Sequence, residues 1–255
     1  LPAELRRLAR EFRAATGSGA SDGDVRRAIA TLAACFPAYR SYVVPERGAI
    51  TEADAELINE AVREAARRDV GLAGLFHAMR DLLLLRSPGV DERAAHEFVA
   101  RFQQYSTPVM AKGVEDTAFY RLSAFVAAHD VGGIPGAFAR PLRELHDANA
   151  ERASRWPACM LTTSTHDTKR SEDVRARLAA MSETPEEWTR LAERWMVWFA
   201  GNAPRVERSV AYALLQNLAG AWPISNERAR AFARKAAREA KTATSWLRPD
   251  EDYER

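Results

Sequence analysis

The stretch TTSTHDTKRSEDVR (162–175) sets an imidazole and a carboxylate side by side, His166-Asp167, among threonine and serine hydroxyls. Lys169 and Arg170 follow after Thr168. The threonine and serine run can supply hydroxyl donors that fix the carboxylate. The plainer reading makes Asp167 a helix N-cap and His166 a surface residue. A second stretch, AKGVEDTAFYR (111–121), combines Lys112, Glu115, Asp116, Tyr120 and Arg121. Its spacing predicts a helix that carries Gly113 in its interior, at a cost of roughly 1 kcal/mol relative to alanine. Such a glycine invites a reason, such as close approach of another element or of a ligand. The plainer reading is a salt-bridged helix with Phe119 and Tyr120 in the core.

A rival pattern runs through the chain. The dipeptide His-Asp occurs at 129–130, 146–147 and 166–167, and imidazole with carboxylate suits divalent metals, as in helical metal-dependent phosphohydrolases. Those enzymes carry their ligands on helices, and Thr162–Thr168 makes a poor helix. The other two pairs read as a helix end and an exposed helix face, so no metal is expected. There is no GxGxxG, Walker loop, HExxH or GxSxG, and no cofactor is expected. Tyr39, Tyr42, Tyr105, Tyr120, Trp156, Trp222 and Trp246 have faces that could stack on sugar rings, although most such residues serve cores and interfaces.

Periodicity predicts helices at 3–15, 23–35, 52–68, 71–86, 91–104, 107–128, 136–153, 170–180, 185–200, 204–220 and 226–240. Gly17–Ser21 forms a joint, and 39–44 is extended between Pro37 and Pro45. Thr51 and Ser225 are helix starts, and Thr184-Pro185-Glu186-Glu187 reads as a capping box. The apolar run 158–162 fits a short buried strand directly before His166-Asp167. A lone strand leaves its ladder unpaired, so its sheet is expected to lie largely outside this chain. By motif content the chain divides into a mostly helical region, 1–155, and a region 156–255 bearing the His-Asp motif and later helices.

Charged residues make up 28% of the sequence and the formal net charge is +2. The two signs are interspersed, so neither a nucleic-acid surface nor a membrane span is expected. Cys35 and Cys159 lie in apolar runs and read as buried free thiols, which suits a reducing cytoplasm. The start at Leu1-Pro2-Ala3 and the end at Arg255 read as a piece of a longer polypeptide.

Five segments in series give the chain a resemblance. STHDTKRSEDVR (164–175) and PVMAKGVEDTAFYR (108–121) are similar to segments of the maltooligosyl trehalose synthases, a branch of the α-amylase superfamily of glycoside hydrolases. CFPAYRSYV (35–43), LLQNLAGAWP (214–223) and KTATSWLRPDEDYE (241–254) resemble the same family in the expected order. The resemblance implies a (β/α)8 barrel with helical insertions; this chain would be mainly α, supplying a helical insertion and one or two barrel strands. It implies conversion of the reducing-end α-1,4 linkage of a maltooligosaccharide into an α,α-1,1 linkage, an intramolecular transglucosylation that is formally an isomerisation. Superfamily members use an Asp nucleophile, a Glu acid/base and a second Asp that stabilises the transition state. Asp167 matches the last, and His166 precedes it as in the family. Lys169 and Arg170 are implied near Asp167 or the sugar, with Lys112, Glu115 and Tyr120 lining the pocket. The implied partners are the maltooligosaccharide and the rest of the polypeptide. Nothing in 1–161 resembles the nucleophile or acid/base motifs, so this chain alone is expected to be inactive. The alternative is a helical oligosaccharide-binding or scaffold module without catalysis.

Overall fold

Leu5, Leu8 and Phe12 recur at helical spacing and face the interior of α1 (Pro2–Thr16). In the computed structural model, which describes residues 2–137 and 139–255, this apolar face lies along α5 (Glu92–Met110), with Phe12 and Phe98 ring centroids 5.7 Å apart. Helices α2 (Asp22–Ala34), α3 (Glu52–Arg68) and α4 (Ala73–Leu83) close the same core through Ile29, Leu32, Ile58 and Phe76. Each such buried side chain contributes about 1.5–3 kcal/mol. The helices begin where their chemistry dictates. Ser21, Thr51 and Asp91 each accept a backbone N–H from the first turn of α2, α3 and α5, and Thr51 with Asp54 completes a reciprocal capping box.

The extended piece at 39–44 has only an isolated bridge, Val44 to Ala49, so side chains must satisfy the rest of its backbone. Gln103 on α5 does this from the interior: its Oε1 accepts from Val43 N–H (2.9 Å) and Ser41 Oγ (3.2 Å), and its Nε2 donates to Val43 C=O (3.1 Å). Ser106 Oγ donates to the Tyr39 carbonyl (2.9 Å), and Asp54 Oδ1 accepts from Tyr42 N–H (2.6 Å). Cys35 is buried here, as the sequence predicts.

The chain packs as two units that divide between Gly113 and Val114, a division by packing, where the boundary at 155/156 follows motif content. The long helix predicted at 107–128 is not continuous. After α5 the backbone continues as a π-helix, Ala111–Ala118, and a last helical turn, α6 (Phe119–Arg121), before Leu122 turns extended. A Cβ on Gly113 would meet nothing within 4 Å, so no other described element of this chain approaches it closely. The second unit also holds α7 (Leu142–Arg155), α8 (Glu172–Met181), α9 (Pro185–Asn202), α10 (Arg208–Ala221), α11 (Asn226–Ala240) and α12 (Glu251–Glu254).

Several predicted boundaries move for local reasons. The helix expected at 136–153 begins only after Pro141, because proline disfavours helix in the residue before it; Phe138 lies outside the described residues. Pro185 does open α9, but Thr184 makes no capping bond, and its hydroxyl donates instead to the Met181 carbonyl, so the predicted capping box does not form. The largest correction concerns 158–162. This run forms no strand, and Cys159, Met160 and Leu161 are exposed rather than buried, Met160 to 98%. A strand needs a ladder partner, and none exists among the described residues. Both cysteines are free.

Helices α8 and α10 form the centre of the second unit. Gly220 lets them meet closely, since a Cβ there would lie 2.8 Å from Val174 Cγ1 and 3.2 Å from Leu178 Cγ. Gln216 on α10 repeats the role of Gln103: its Nε2 donates to the Ser123 carbonyl (2.7 Å) and its Oε1 accepts from Val126 N–H (3.0 Å).

The Asp54 carboxylate gives a test of the first unit. Burial alone would raise its pKa, but N–H groups of Tyr42 and Thr51 and the Thr51 hydroxyl outweigh that and hold it below the usual range. A depressed folded pKa means the stabilisation is complete above the unfolded value of about 3.9 and is lost as pH falls through the folded one. Asp54→Ala should therefore cost about 2–3 kcal/mol at pH 7 in denaturant unfolding, and the gap from wild type should close on acidification below pH ~4.

Candidate functional site

The His166-Asp167 loop is exposed and built from local turns. Thr165 N–H donates to Thr168 Oγ1 (2.7 Å), Asp167 N–H donates to Thr165 Oγ1 (3.2 Å), and Ser164 Oγ accepts from Glu172 N–H (3.2 Å) at the start of α8. The threonine run thus shapes the loop's own backbone. It presents His166 (side chain 91% exposed) and Asp167 (70%) outward, with His166 Nε2 3.3 Å from Asp167 Oδ2. Asp167 is not the N-cap of α8; Ser171 occupies that place.

Lys169 and Arg170, beyond Thr168, turn inward. Lys169 Nζ lies 3.1 Å from Asp116 Oδ1 and 3.5 Å from Glu115 Oε2, joining the loop to the π-helix. Burial opposes the Lys169 charge, but the hydrogen bond and charge of Asp116, with Glu115, outweigh it and raise its pKa. Arg170 Nε donates to Asn217 Oδ1 on α10 (2.8 Å). Burial brings the Arg170 pKa down to about 10, so it is still cationic at neutral pH. Beside it a small cleft of about 40 Å³ is lined by Phe119, Tyr120, Arg170, Leu214, Asn217 and Phe232.

Glu115 (7% exposed), Tyr120, Lys169 and Arg170 therefore lie on one continuous set of elements under the loop, whereas His166 and Asp167 stand out from it. Lys112 is exposed and falls in the first unit. Of the aromatic residues, Tyr105 is buried, whereas Tyr42, Trp156, Trp222 and Trp246 are more than half exposed; Arg40 and Arg238 cover Tyr42 and Trp246.

Sequence reasoning did not pick out Asp130. It stood in view only as half of a metal-type His-Asp pair, yet no cluster of three potential metal ligands forms among the described residues. Its Oδ1 accepts from Lys169 N–H (3.3 Å) and its Oδ2 lies 3.2 Å from Arg175 Nη1. His129 beside it is buried and stacked on Phe119, with centroids 5.1 Å apart and planes 4° from parallel. Burial, helped by the Arg170 charge, keeps its pKa below the ordinary value, so it is neutral at pH 7.

Lys169→Met should destabilise the second unit by about 1–3 kcal/mol at neutral pH, since it removes a largely buried cation that pairs with both Glu115 and Asp116. The folded lysine pKa is raised, so its contribution is complete below the unfolded value of about 10.4 and is lost as pH rises through the folded one. Unfolding midpoints of wild type and variant should therefore converge only on the alkaline side.

No protein-family model matches the chain. A Mycobacterium tuberculosis protein (strain H37Rv), provisionally named maltooligosyl trehalose synthase, is 40% identical over 169 residues, which cover 62% of this chain and 21% of that protein. The structure of maltooligosyltrehalose synthase from Arthrobacter ramosus is 38% identical and superposes with a TM-score of 0.81 over 99% of this chain and 30% of its own. A hypothetical maltooligosyl trehalose synthase from Sulfolobus tokodaii is 25% identical, with a TM-score of 0.71 over 100% of this chain and 31% of its own. The chain spans about a fifth to a third of the length of these relatives. Along nearly all of its own length, then, this chain is similar in sequence and in fold to one segment of proteins named maltooligosyl trehalose synthase.

Proposed function

We propose that this chain is part of an enzyme that converts the reducing-end α-1,4 linkage of maltooligosaccharides into an α,α-1,1 linkage by intramolecular transglucosylation. The single observation that carries the reading is the match in sequence and fold to one segment of maltooligosyltrehalose synthase across 99% of this chain. In this reading Asp167 stabilises the transition state. The reaction keeps the α configuration, so it passes through two displacements and an oxocarbenium-like centre. A third carboxylate accepting hydrogen bonds from the sugar hydroxyls strengthens its grip as the ring flattens. His166, 3.3 Å from Asp167, donates to a hydroxyl of the same sugar. Arg170 and Tyr120 on the neighbouring cleft, with Glu115 and Lys169 paired beside it, complete the binding surface.

The nucleophile and acid/base come from parts of the polypeptide beyond this chain, as do the other strands of the barrel. Exposure of Trp156, Met160 and Leu161 just ahead of the loop supports this: an apolar run that has no ladder here would pair and become buried there. The chain alone is inactive in this reading, because three carboxylates acting as one unit lose nearly everything when two are missing.

The full-length protein incubated with maltohexaose should lose reducing ends with little release of free glucose, and Asp167→Asn should reduce that rate by at least about a thousandfold. Unchanged reducing ends would remove the trehalose-forming reading. A helical oligosaccharide-binding module without chemistry would then be the better account.

A further inference from the structure

The His166-Asp167 loop has two flanks, and one carboxylate serves both. On the far side of the loop, Asp130 Oδ1 accepts the backbone N–H of Lys169 (3.3 Å). On the near side, Asp130 Oδ2 pairs with Arg175 Nη1 at 3.2 Å, and Nη2 of the same guanidinium donates to the Thr163 carbonyl. Asp130 itself is fixed: its Oδ1 accepts Val131 N–H (2.7 Å), and the following turn is closed by Gly133 N–H donating to the Asp130 carbonyl (2.8 Å). A Cβ on Gly133 would stand 2.8 Å from that carbonyl oxygen, so glycine is needed for so tight a turn. His129, one residue earlier, is locked by its stack on Phe119. The Asp130 side chain is largely buried, at 20% exposure, and that of Arg175 is 32% exposed. Pairs of this kind hold geometry better than those at an open surface.

We propose that Asp130, acting through Arg175 and the Lys169 backbone, is the positioning residue that sets where Asp167 stands. This rests on the reading of Asp167 given above. Asp130 touches no sugar; it holds residues 163 and 169, between which the otherwise exposed loop is spanned. A carboxylate that must meet a transition state tolerates little displacement, and about 1 Å of misplacement can cost on the order of a hundredfold in rate. Ground-state binding spread over many subsites depends less on this one group. Loss of Asp130 should therefore appear in kcat and not in KM.

The test uses the full-length protein, with maltohexaose as substrate, and compares Asp130→Ala, Asp130→Asn, Asp167→Asn and the double variant Asp130→Ala/Asp167→Asn. Asp130→Ala should lower kcat by about ten- to a hundredfold with KM changed less than about threefold. Asp130→Asn keeps the acceptor for Lys169 N–H but drops the charge facing Arg175, so it should fall between wild type and Asp130→Ala. In the Asp167→Asn background, Asp130→Ala should add nothing further, because a residue that acts through another has no effect once that residue is disabled. Amide hydrogen exchange over 162–170 should accelerate in Asp130→Ala while exchange in α10 is unchanged, which separates a loosened loop from general unfolding. If Asp130→Ala keeps kcat within twofold, or its loss adds fully to that of Asp167→Asn, the positioning role is overturned and the reading of Asp167 survives. If Asp167→Asn itself turns over normally, the reading of Asp167 falls, and a faster-exchanging loop in Asp130→Ala would then mark an anchor that positions no catalytic group.

Discussion

With no sheet among the described residues, the extended segments must have their backbone groups satisfied by something other than a ladder. The fold depends on how that is done. In the first unit Gln103 bonds both the N–H and the C=O of Val43, and Asp54 takes the N–H of Tyr42. In the second, Gln216 spans Ser123 and Val126, and Asp130 takes the N–H of Lys169. A side-chain amide is suited to the task because it carries donor and acceptor together. A carboxylate is suited where several donors converge.

The same device connects fold to site. The loop at 162–170 sits in no regular element, and its own threonines shape only its local turns. Its placement comes from ties to the body of the unit, among them Lys169 to Glu115 and Asp116, Arg170 to Asn217, Asp130 to the Lys169 backbone, and Arg175 to the Thr163 carbonyl. Each tie ends on an element fixed for other reasons. Asn217 lies on α10, one residue from Gln216 and three from the Gly220 contact with α8. The result is an outward-facing His-Asp pair on a stiff base.

Most helices could be read from periodicity and caps, and Thr51, Ser225 and Pro185 start helices where expected. The errors share a cause. The break after Arg121 could not be read locally, since the segment 122–125, which leads into a short 3-10 turn at Val126, is held by Gln216, about ninety residues away. Gln103 and Gln216 looked like ordinary helix formers. Asp130 was visible only as half of a His-Asp pair. The expected strand at 158–162 rested on apolar composition, but a strand is a property of two segments, and the chain described here provides one of them. His166, Asp167, Lys169 and Arg170 were legible as a group; that the first two face outward while the last two anchor the loop was not.

The central claim is that Asp167 meets the sugar whose linkage changes. The most direct measurement is a structure of the full-length protein with a maltooligosaccharide bound. The account predicts an Asp167 carboxylate oxygen about 2.6–3.2 Å from a hydroxyl of that reducing-end sugar pair. A bound oligosaccharide that leaves Asp167 facing solvent, with no hydroxyl in reach, would contradict it.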